Sequence, residues 1–222
     1  MKKKIDGSQN LKLNKKIAII DYGFGNIESL KNAINYLNFK CEIITNPNKF
    51  NKFTHVFLPG VGSFESGIKV LKRKKWDKAL KNFLENGNKL FGICLGMQLL
   101  FEKGTNEKNQ NKIDGLNFLK GTCDKFFGGN TKNINPLPHI GFNKVNFKKT
   151  KLWKADLGKP YFYFIHSYRV KNAKNYTSIG TTDYGEKFIS YIEHKNIFCS
   201  QFHPEKSHLK GLKLIENFLN KQ

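Results

Sequence analysis

Apolar residues in the first half of the chain form short blocks that alternate between two spacings. The blocks KKIAII, CEIIT, THVFLPG and KLFGI are short apolar runs of the kind that form buried strands. Between them, NIESLKNAINYLN and residues 65–86 repeat apolar positions at helical spacing, and a further helix is expected over residues 95–102. This alternation predicts right-handed βαβ units, and therefore a parallel sheet with helices on both faces.

The second half of the chain has a different pattern. Six short strand-like runs are separated by turns: LNFLKGTCDKFF, HIGFNKVNF, YFYFIHSYRV, YTSIGTTDY, EKFISYIEH and NIFCSQF. They predict antiparallel additions to the same sheet, and the final HLKGLKLIENFLNKQ predicts an amphipathic helix. We therefore predict a polar basic extension over residues 1–15 and one α/β domain over residues 16–222, with a mixed, mostly parallel central sheet.

Length and composition narrow the class of protein. A chain of 222 residues with 39% hydrophobic residues can bury one full-sized core. No apolar run is long enough to span a membrane, and the basic N-terminal segment lacks the apolar core of a secretion signal. The four cysteines are far apart, with no C-x-x-C pair, which argues against a zinc site and a disulfide scaffold. We predict a cytoplasmic protein that needs no metal or cofactor.

The formal net charge of +22 raises the question of nucleic-acid binding. Lysine supplies nearly all of the positive charge, because Arg73 and Arg169 are the only arginines. Arginine is the side chain that forks onto bases and phosphates, and the lysines are scattered along the chain. A solvated lysine surface explains the charge, so no nucleic-acid partner is predicted.

The stretch KLFGICLGMQLLF places Cys94 between Gly92 and Gly96, at the junction of a predicted strand and a predicted helix. G-x-C-x-G at such a junction is the cysteine form of a nucleophile elbow, a sharp turn that strains the backbone of its central residue. A helix N-terminus favours the thiolate, and the Leu95 amide would face the same space as an oxyanion donor. From the pattern alone, the alternative is a buried structural thiol.

A nucleophilic thiol needs a base, and the segment FCSQFHPEKS offers one. His203 follows an apolar strand and precedes Pro204, which ends a hydrogen-bonded ladder. In an extended chain Glu205 lies on the same side as His203, so its carboxylate can hold one ring nitrogen while the other faces a thiol. The alternative is a surface loop in which an acid happens to follow a histidine.

The segment LPGVGSF is a third candidate. Gly60 and Gly62 flank Val61 at the end of a predicted parallel strand, which allows a backbone N–H to approach a ligand closely. The alternative is a plain turn. The dinucleotide fingerprint G-x-G-x-x-G is absent both here and in the earlier DYGFGN.

Over about residues 16–222, these segments resemble the class I, triad-type glutamine amidotransferases. The blocks similar to one branch, the glutaminase subunits of imidazole glycerol phosphate synthases, are DYGFGNIESLKNAI, LPGVGSFESGI, GICLGMQLLFE, LPHIGFN, YFYFIHSYRV and QFHPEKSHLKGLKLIENF. The resemblance implies a flavodoxin-like fold and hydrolysis of glutamine to glutamate and ammonia. It implies that Cys94 attacks the glutamine amide, that His203 passes a proton to the departing ammonia, and that Glu205 orients His203.

The resemblance also implies roles for residues around this triad. Glutamine would be held by Gln98 and by the backbone of Ser167 and Tyr168. His166, which precedes them, is interpreted as structural. The positions that match the oxyanion-binding backbone are Gly60, Val61, Gly62 and Leu95.

The implied partner is a (β/α)8-barrel cyclase subunit, which uses the ammonia to make imidazole glycerol phosphate and aminoimidazole carboxamide ribotide in histidine biosynthesis. Asn26 and Tyr163 match positions near that interface, so a heterodimer is predicted. The segments GSFESG and HIGFN differ from the commoner GAFGDA and HMGWN. Similar glutaminases feed a sugar amidotransferase in surface-polysaccharide synthesis, which is the alternative acceptor. A non-catalytic regulatory or nucleic-acid-binding module is a further alternative, against which the intact triad argues.

Overall fold

The computed structural model describes residues 15–126, 135–154 and 159–221. Residues 1–14 of the predicted extension, the last residue of the segment LNFLKGTCDKFF and the final Gln222 lie outside these ranges. The strands are β1 (Ile17–Ile20), β2 (Cys41–Ile44), β3 (His55–Gly60), β4 (Lys89–Cys94), β5 (Phe101–Thr105), β6 (Lys112–Asp114), β7 (Leu119–Lys125), β8 (His139–Lys144), β9 (Asn146–Lys148), β10 (Tyr161–His166), β11 (Tyr168–Lys174), β12 (Ser178–Asp183), β13 (Lys187–His194) and β14 (Ile197–Ser200). The helices are α1 (Ile27–Tyr36), α2 (Phe64–Arg73), α3 (Trp76–Glu85), α4 (Leu95–Leu99) and α5 (His208–Leu219).

Twelve of the described strands form one central sheet. Its order is β2-β1-β3-β4-β14-β13-β11-β7-β5-β6, while β12 pairs with β13 and β9 pairs with β12. The run from β2 to β14 is parallel, which confirms the prediction for the first half of the chain. Its 2-1-3-4 order is the flavodoxin-like type, in which ligands bind beyond the carboxyl ends of the strands.

The two faces of the sheet have separate cores. Along β1, Ala18 and Ile20 enter one core, and Ile17 and Ile19 enter the other, as the alternation of a strand requires. Helices α2 and α3 cover the first core, whereas α1 and α5 cover the second. The apolar face predicted for the C-terminal helix is therefore the face that α5 buries. None of the helices in the described ranges is both long and apolar enough to cross a membrane.

The helical pattern over residues 65–86 is interrupted. Lys75 has a φ of +62°, a left-handed conformation that ends α2 and redirects the chain into α3. Leu71 before the break and Trp76 after it enter the same core. The apolar spacing therefore continues across the break, and spacing alone could not reveal it.

The helix predicted over residues 95–102 is too long. It ends at Leu99, and Phe101 begins β5, which pairs with β7 in parallel. Leu99, Leu100 and Phe101 are all fully buried. A continuous apolar run looks the same whether it continues a helix or starts a buried strand, and this explains the error.

The prediction that every strand of the second half joins the central sheet is also wrong. Strands β8 and β10 pair only with each other, as an antiparallel two-stranded sheet within the described chain. The segment YFYFIHSYRV is two strands, because the chain leaves β10 at His166 and enters β11 at Tyr168. The single residue between them, Ser167, marks the change from one sheet to the other.

Phe218 of α5 occupies the centre of the second core. Its ring meets those of Phe57, Phe91 and Phe198 edge-on, at centroid distances of 5.0, 5.2 and 5.5 Å. Phe218→Ala should therefore lower the free energy of unfolding by about 3–5 kcal/mol in urea titrations. Leu209→Ala, on the same helix but 72% exposed, is the control and should cost less than about 0.5 kcal/mol. Equal costs for the two variants would show that this core is not as described.

Candidate active site

Cys94 lies at a sharp turn from strand to helix. It is the last residue of β4, and α4 begins at the next residue, Leu95. The φ of Cys94 is +54° and its ψ is −113°, a conformation that non-glycine residues rarely adopt. The predicted elbow is therefore present, with strain at the residue expected to react.

Gly96, two residues after Cys94, allows helix α4 to approach strand β3 closely. A Cβ on Gly96 would lie 1.8 Å from the carbonyl oxygen of Leu58 in β3. Any side chain there would push α4 away from the sheet. The close neighbour of Gly96 is therefore the adjacent strand.

His203 and Glu205 form a buried pair in the turn that follows β14. The Nδ1 atom of His203 lies 2.8 Å from Oε1 of Glu205, and the two side chains are 3% and 2% exposed. Residues Pro204–Lys206 form a 3₁₀ turn, so the contact arises from a turn and not from the extended chain that was expected. An acid that merely follows a histidine in a surface loop would be exposed, so this burial argues against that alternative.

The other neighbour of His203 is Cys94. Burial alone would lower the pKa of His203, but the charge of Cys94, followed by Glu205, raises it to about 10. The imidazole is therefore protonated at neutral pH. A cationic ring between a sulfur and a carboxylate can donate a proton to a leaving group.

Two glutamine side chains connect the sulfur to the start of β11. The Nε2 atom of Gln98 donates to the carbonyl of Tyr168 and to Oε1 of Gln201, both at 3.0 Å. The Nε2 atom of Gln201 lies 3.6 Å from Sγ of Cys94. Sequence reasoning identified Gln98 but missed Gln201. The available signal was its position two residues before His203, on the same side of an extended segment.

A cavity of about 620 Å³ opens beside the sulfur. The predicted site residues that line it are Val61, Gly62, Cys94, Leu95, Gln98, Ser167 and Tyr168. Glu107 and Lys125 also line it, and both were missed because Glu107 lies in an exposed polar stretch and Lys125 at the end of β7, in neither case within a motif. The cavity lining thus places a carboxylate, an ammonium group and an amide side chain around the sulfur of Cys94.

Two of the backbone amides expected to bind an oxyanion, those of Leu95 and Val61, differ in whether the N–H already has an acceptor. Leu95 is the first residue of α4, so its N–H has no acceptor within the helix. The N–H of Val61 instead donates to the carbonyl of Phe24 at 3.3 Å. Gly62 has a φ of +104°, so this loop contains the left-handed glycine that its sequence suggested.

A family model named glutamine amidotransferase class-I matches residues 18–222. The chain belongs to the class-I glutamine amidotransferase family. Two curated relatives of this amidotransferase cover 91% of its length. Imidazole glycerol phosphate synthase subunit HisH 2 of Methanococcus maripaludis is 42% identical over 205 residues, 98% of its own length. Subunit HisH of Sulfurimonas denitrificans is 38% identical over 202 residues, 96% of its length.

Solved structures support the fold of the amidotransferase. The structure of PurLQS from Thermotoga maritima matches with a TM-score of 0.70 and 17% sequence identity, covering 93% of this chain and 98% of that one. At this identity the likeness establishes the architecture alone. It agrees with the flavodoxin-like order of the parallel strands.

The two predicted interface residues of the amidotransferase, Asn26 and Tyr163, have different surroundings. Asn26 caps α1 by accepting the N–H of Ser29 at 3.3 Å. Tyr163 of β10 accepts the backbone N–H of His203 at 2.9 Å, and its own N–H donates to Ser207 at 2.9 Å. The strand that carries Tyr163 therefore holds the segment that carries His203.

His166 has a structural environment in the amidotransferase. Its Nδ1 lies 2.8 Å from the carbonyl of Tyr168, and its Nε2 lies 3.0 Å from Nδ1 of His139. Burial lowers the pKa of His166 to about 3, so the ring stays neutral at physiological pH. These contacts agree with the interpretation that His166 shapes the backbone of the site.

Proposed function

We propose that this amidotransferase hydrolyses glutamine to glutamate and ammonia through Cys94, His203 and Glu205. The observation that carries the proposal is the buried His203–Glu205 pair, at 2.8 Å, beside a cysteine on a strained elbow. A carboxylate that orients a ring, a ring that moves a proton and a thiol that attacks are the three parts of a nucleophilic triad.

The cavity suits an amino acid with a side-chain amide. Glu107 on its lining supplies a negative charge for the α-ammonium group, and Lys125 supplies a positive charge for the α-carboxylate. Both hydrogens of the Gln98 amide are used by Tyr168 and Gln201, so its oxygen remains as an acceptor for the substrate. The side-chain amide of the substrate then reaches Cys94.

The reaction follows from the positions of these groups. Cys94 attacks the amide carbon, and the backbone N–H groups of Leu95 and, after rotation of its peptide, Val61 bind the oxyanion. The His203 imidazolium gives its proton to the departing nitrogen, and ammonia leaves a γ-glutamyl thioester on Cys94. Neutral His203 then takes a proton from water, which attacks the thioester and releases glutamate.

The proposed acceptor of the ammonia is a cyclase subunit of an imidazole glycerol phosphate synthase. The relatives in Methanococcus and Sulfurimonas bear that synthase's name and align with nearly the whole chain. Free ammonia would protonate in water, so direct transfer to a bound partner preserves its reactivity. The four free cysteines suit a reducing cytoplasm as the site of this reaction.

An exposed apolar surface lies next to the cavity on β8 and β10. Its members Ile140, Phe142, Tyr161 and Ile165 are between 40% and 55% exposed. We propose that the cyclase covers this surface near Tyr163, with Asn26 at its edge, to form a heterodimer. Nucleic acid is a poorer candidate, because Arg169, one of the two arginines, is 2% exposed and paired with Glu186.

The chain alone should be a poor glutaminase. Because the N–H of Val61 is bonded to Phe24, one oxyanion donor is missing until the peptide rotates. A missing donor costs roughly a hundred- to a thousand-fold in rate. Glutamate release should therefore rise by about that factor when the cyclase and its ribotide substrate are added, because the partner binds the rotated arrangement better.

The comparison needs three samples: the chain alone, the chain with cyclase, and the chain with cyclase and ribotide. Equal and full rates in all three would refute control by the partner and leave the triad unaffected. No glutamate in any sample would refute the glutaminase. A fourth sample, with a sugar amidotransferase in place of the cyclase, tests the alternative acceptor, and activation in that sample alone would identify it.

A further inference from the structure

Gln201 is a buried polar residue at the centre of the site. It directly follows β14 and has no exposed surface. Its backbone N–H donates to the carbonyl of Ser190 at 2.9 Å, which fixes the base of the side chain. The side chain then extends between Gln98 and Cys94. A buried amide in such a position needs partners for both of its ends.

The orientation of both glutamine amides is determined by one backbone carbonyl. The Tyr168 carbonyl can only accept, so the amide atom of Gln98 that faces it at 3.0 Å must be the nitrogen. That nitrogen also lies 3.0 Å from the Gln201 amide, which must therefore present its oxygen. The nitrogen of Gln201 is left facing Sγ of Cys94 at 3.6 Å, a distance within reach of an N–H···S hydrogen bond.

We propose that Gln201 is a further active-site residue with two actions: it donates a hydrogen bond to the Cys94 thiolate, and it holds Gln98 in the orientation that binds glutamine. This inference rests on the proposed glutaminase function and adds a residue to its site. A hydrogen bond to a charged group is stronger than one to a neutral group, so the contact favours the thiolate over the thiol.

The two actions connect substrate binding to the nucleophile. The chain of contacts runs from the Tyr168 carbonyl through Gln98 and Gln201 to the sulfur. Displacement of Gln98 would therefore also turn the Gln201 amide away from Cys94. The amide of Gln201 carries no charge, so it stabilises the thiolate only when its N–H points at the sulfur.

Several titratable groups also act on Cys94 and have to be considered in any pH experiment. The charges of His203 and Cys94 act on each other, and Glu205 contacts His203 in the turn after β14. Burial and the charge of Cys94 raise the pKa of Tyr22, which follows β1. His166 of β10 lines the same cavity as Cys94. None of these residues is changed in the test variants. A difference in alkylation rate between a variant and the parent is therefore caused by the altered side chain of Gln201 or Gln98.

The test is the rate at which iodoacetamide alkylates Cys94 in the folded chain, followed by peptide mapping. Burial raises the pKa of the thiols of Cys41, Cys123 and Cys199, so these react slowly and do not obscure Cys94. Gln201→Met, which keeps the length but removes both hydrogen bonds, should slow alkylation at pH 7 by about ten-fold or more.

The matched control is Ser200→Ala. Ser200 is the fully buried neighbour of Gln201, and its hydroxyl donates to the carbonyl of Phe202 at 2.9 Å, away from the sulfur. Its loss removes a buried hydrogen bond from the same segment, so alkylation of Cys94 should stay at the parent rate. Gln98→Leu is the second test variant and should slow alkylation, because Gln98 acts on the sulfur only by orienting Gln201.

Parent rates of alkylation at pH 7 in folded Gln201→Met would overturn the inference. If that variant does not fold, parent rates in folded Gln98→Leu overturn it instead. A second readout is the KM for glutamine with the cyclase present, which should rise in Gln201→Met. Alkylation needs no glutamine, so these results stay distinct from failure of the proposed function, which would appear as a parent chain that releases no glutamate.

Discussion

Cys94→Ser should reduce glutamine hydrolysis by about 10⁴-fold or more while the fold remains intact. Serine nearly matches the size of cysteine, and residue 94 is only 6% exposed, so packing changes little. The serine hydroxyl, however, is not ionised at neutral pH, whereas a thiolate is required for the attack. Glutamate release measured with the cyclase present gives the size of the loss.

Two controls accompany this variant. Cys41→Ser changes a thiol outside the site and should keep the parent rate, since Cys41 lies on β2, at one edge of the sheet order. Supplying ammonium salts should restore the synthase reaction of Cys94→Ser, because the proposed acceptor site belongs to the partner. A serine variant that hydrolyses glutamine near the parent rate would remove Cys94 from the mechanism.

His203→Ala should cost about 10³-fold or more in glutamine hydrolysis, and Glu205→Gln should cost much less. In the proposed mechanism the ring moves the proton, whereas the carboxylate orients the ring through one contact at 2.8 Å. A glutamine at position 205 can still accept from Nδ1–H through its amide oxygen, so the ring stays in place. Rates of glutamate release for the two variants, compared at the same pH, test this order.

The pH dependence distinguishes an orienting carboxylate from a purely structural one. Glu205 helps to raise the pKa of His203, so the imidazolium of the parent is lost only as the pH approaches about 10. Without that negative charge the pKa of His203 falls, and Glu205→Gln should lose activity at a lower alkaline pH than the parent. Equal, mild losses of activity in both variants, with unchanged pH profiles, would indicate that His203 and Glu205 have only a structural role in the turn.

The sequence was sufficient for the parts of the site that depend on local chemistry. Gly96 and Cys94 carry the signature of an elbow because strand β3 leaves no room for a side chain at position 96 and the turn strains the backbone at position 94. His203 and Glu205 are so close in the chain that any compact turn brings them together. The parallel strands were predictable because each is short, buried and followed by a helical pattern.

What the sequence could not supply depends on contacts between distant segments. Gln201 and Gln98 meet only because β14 lies next to β4 in the sheet, and no spacing within the sequence encodes that neighbour. Glu107 and Lys125 look like ordinary surface charges until the fold places them at the cavity. The bond from Val61 to Phe24 likewise joins two loops that follow different strands, β3 and β1.

The covalent state of Cys94 during turnover tests the proposed mechanism most directly. The chain, cyclase and ribotide are mixed with glutamine, quenched in acid and digested, and the peptides are analysed by mass spectrometry. We predict a γ-glutamyl group on the peptide that contains Cys94, lost when glutamine is exhausted and absent from Cys94→Ser. A γ-glutamyl group on a different residue, or undiminished glutamate release after Cys94 has been fully alkylated, would contradict the account.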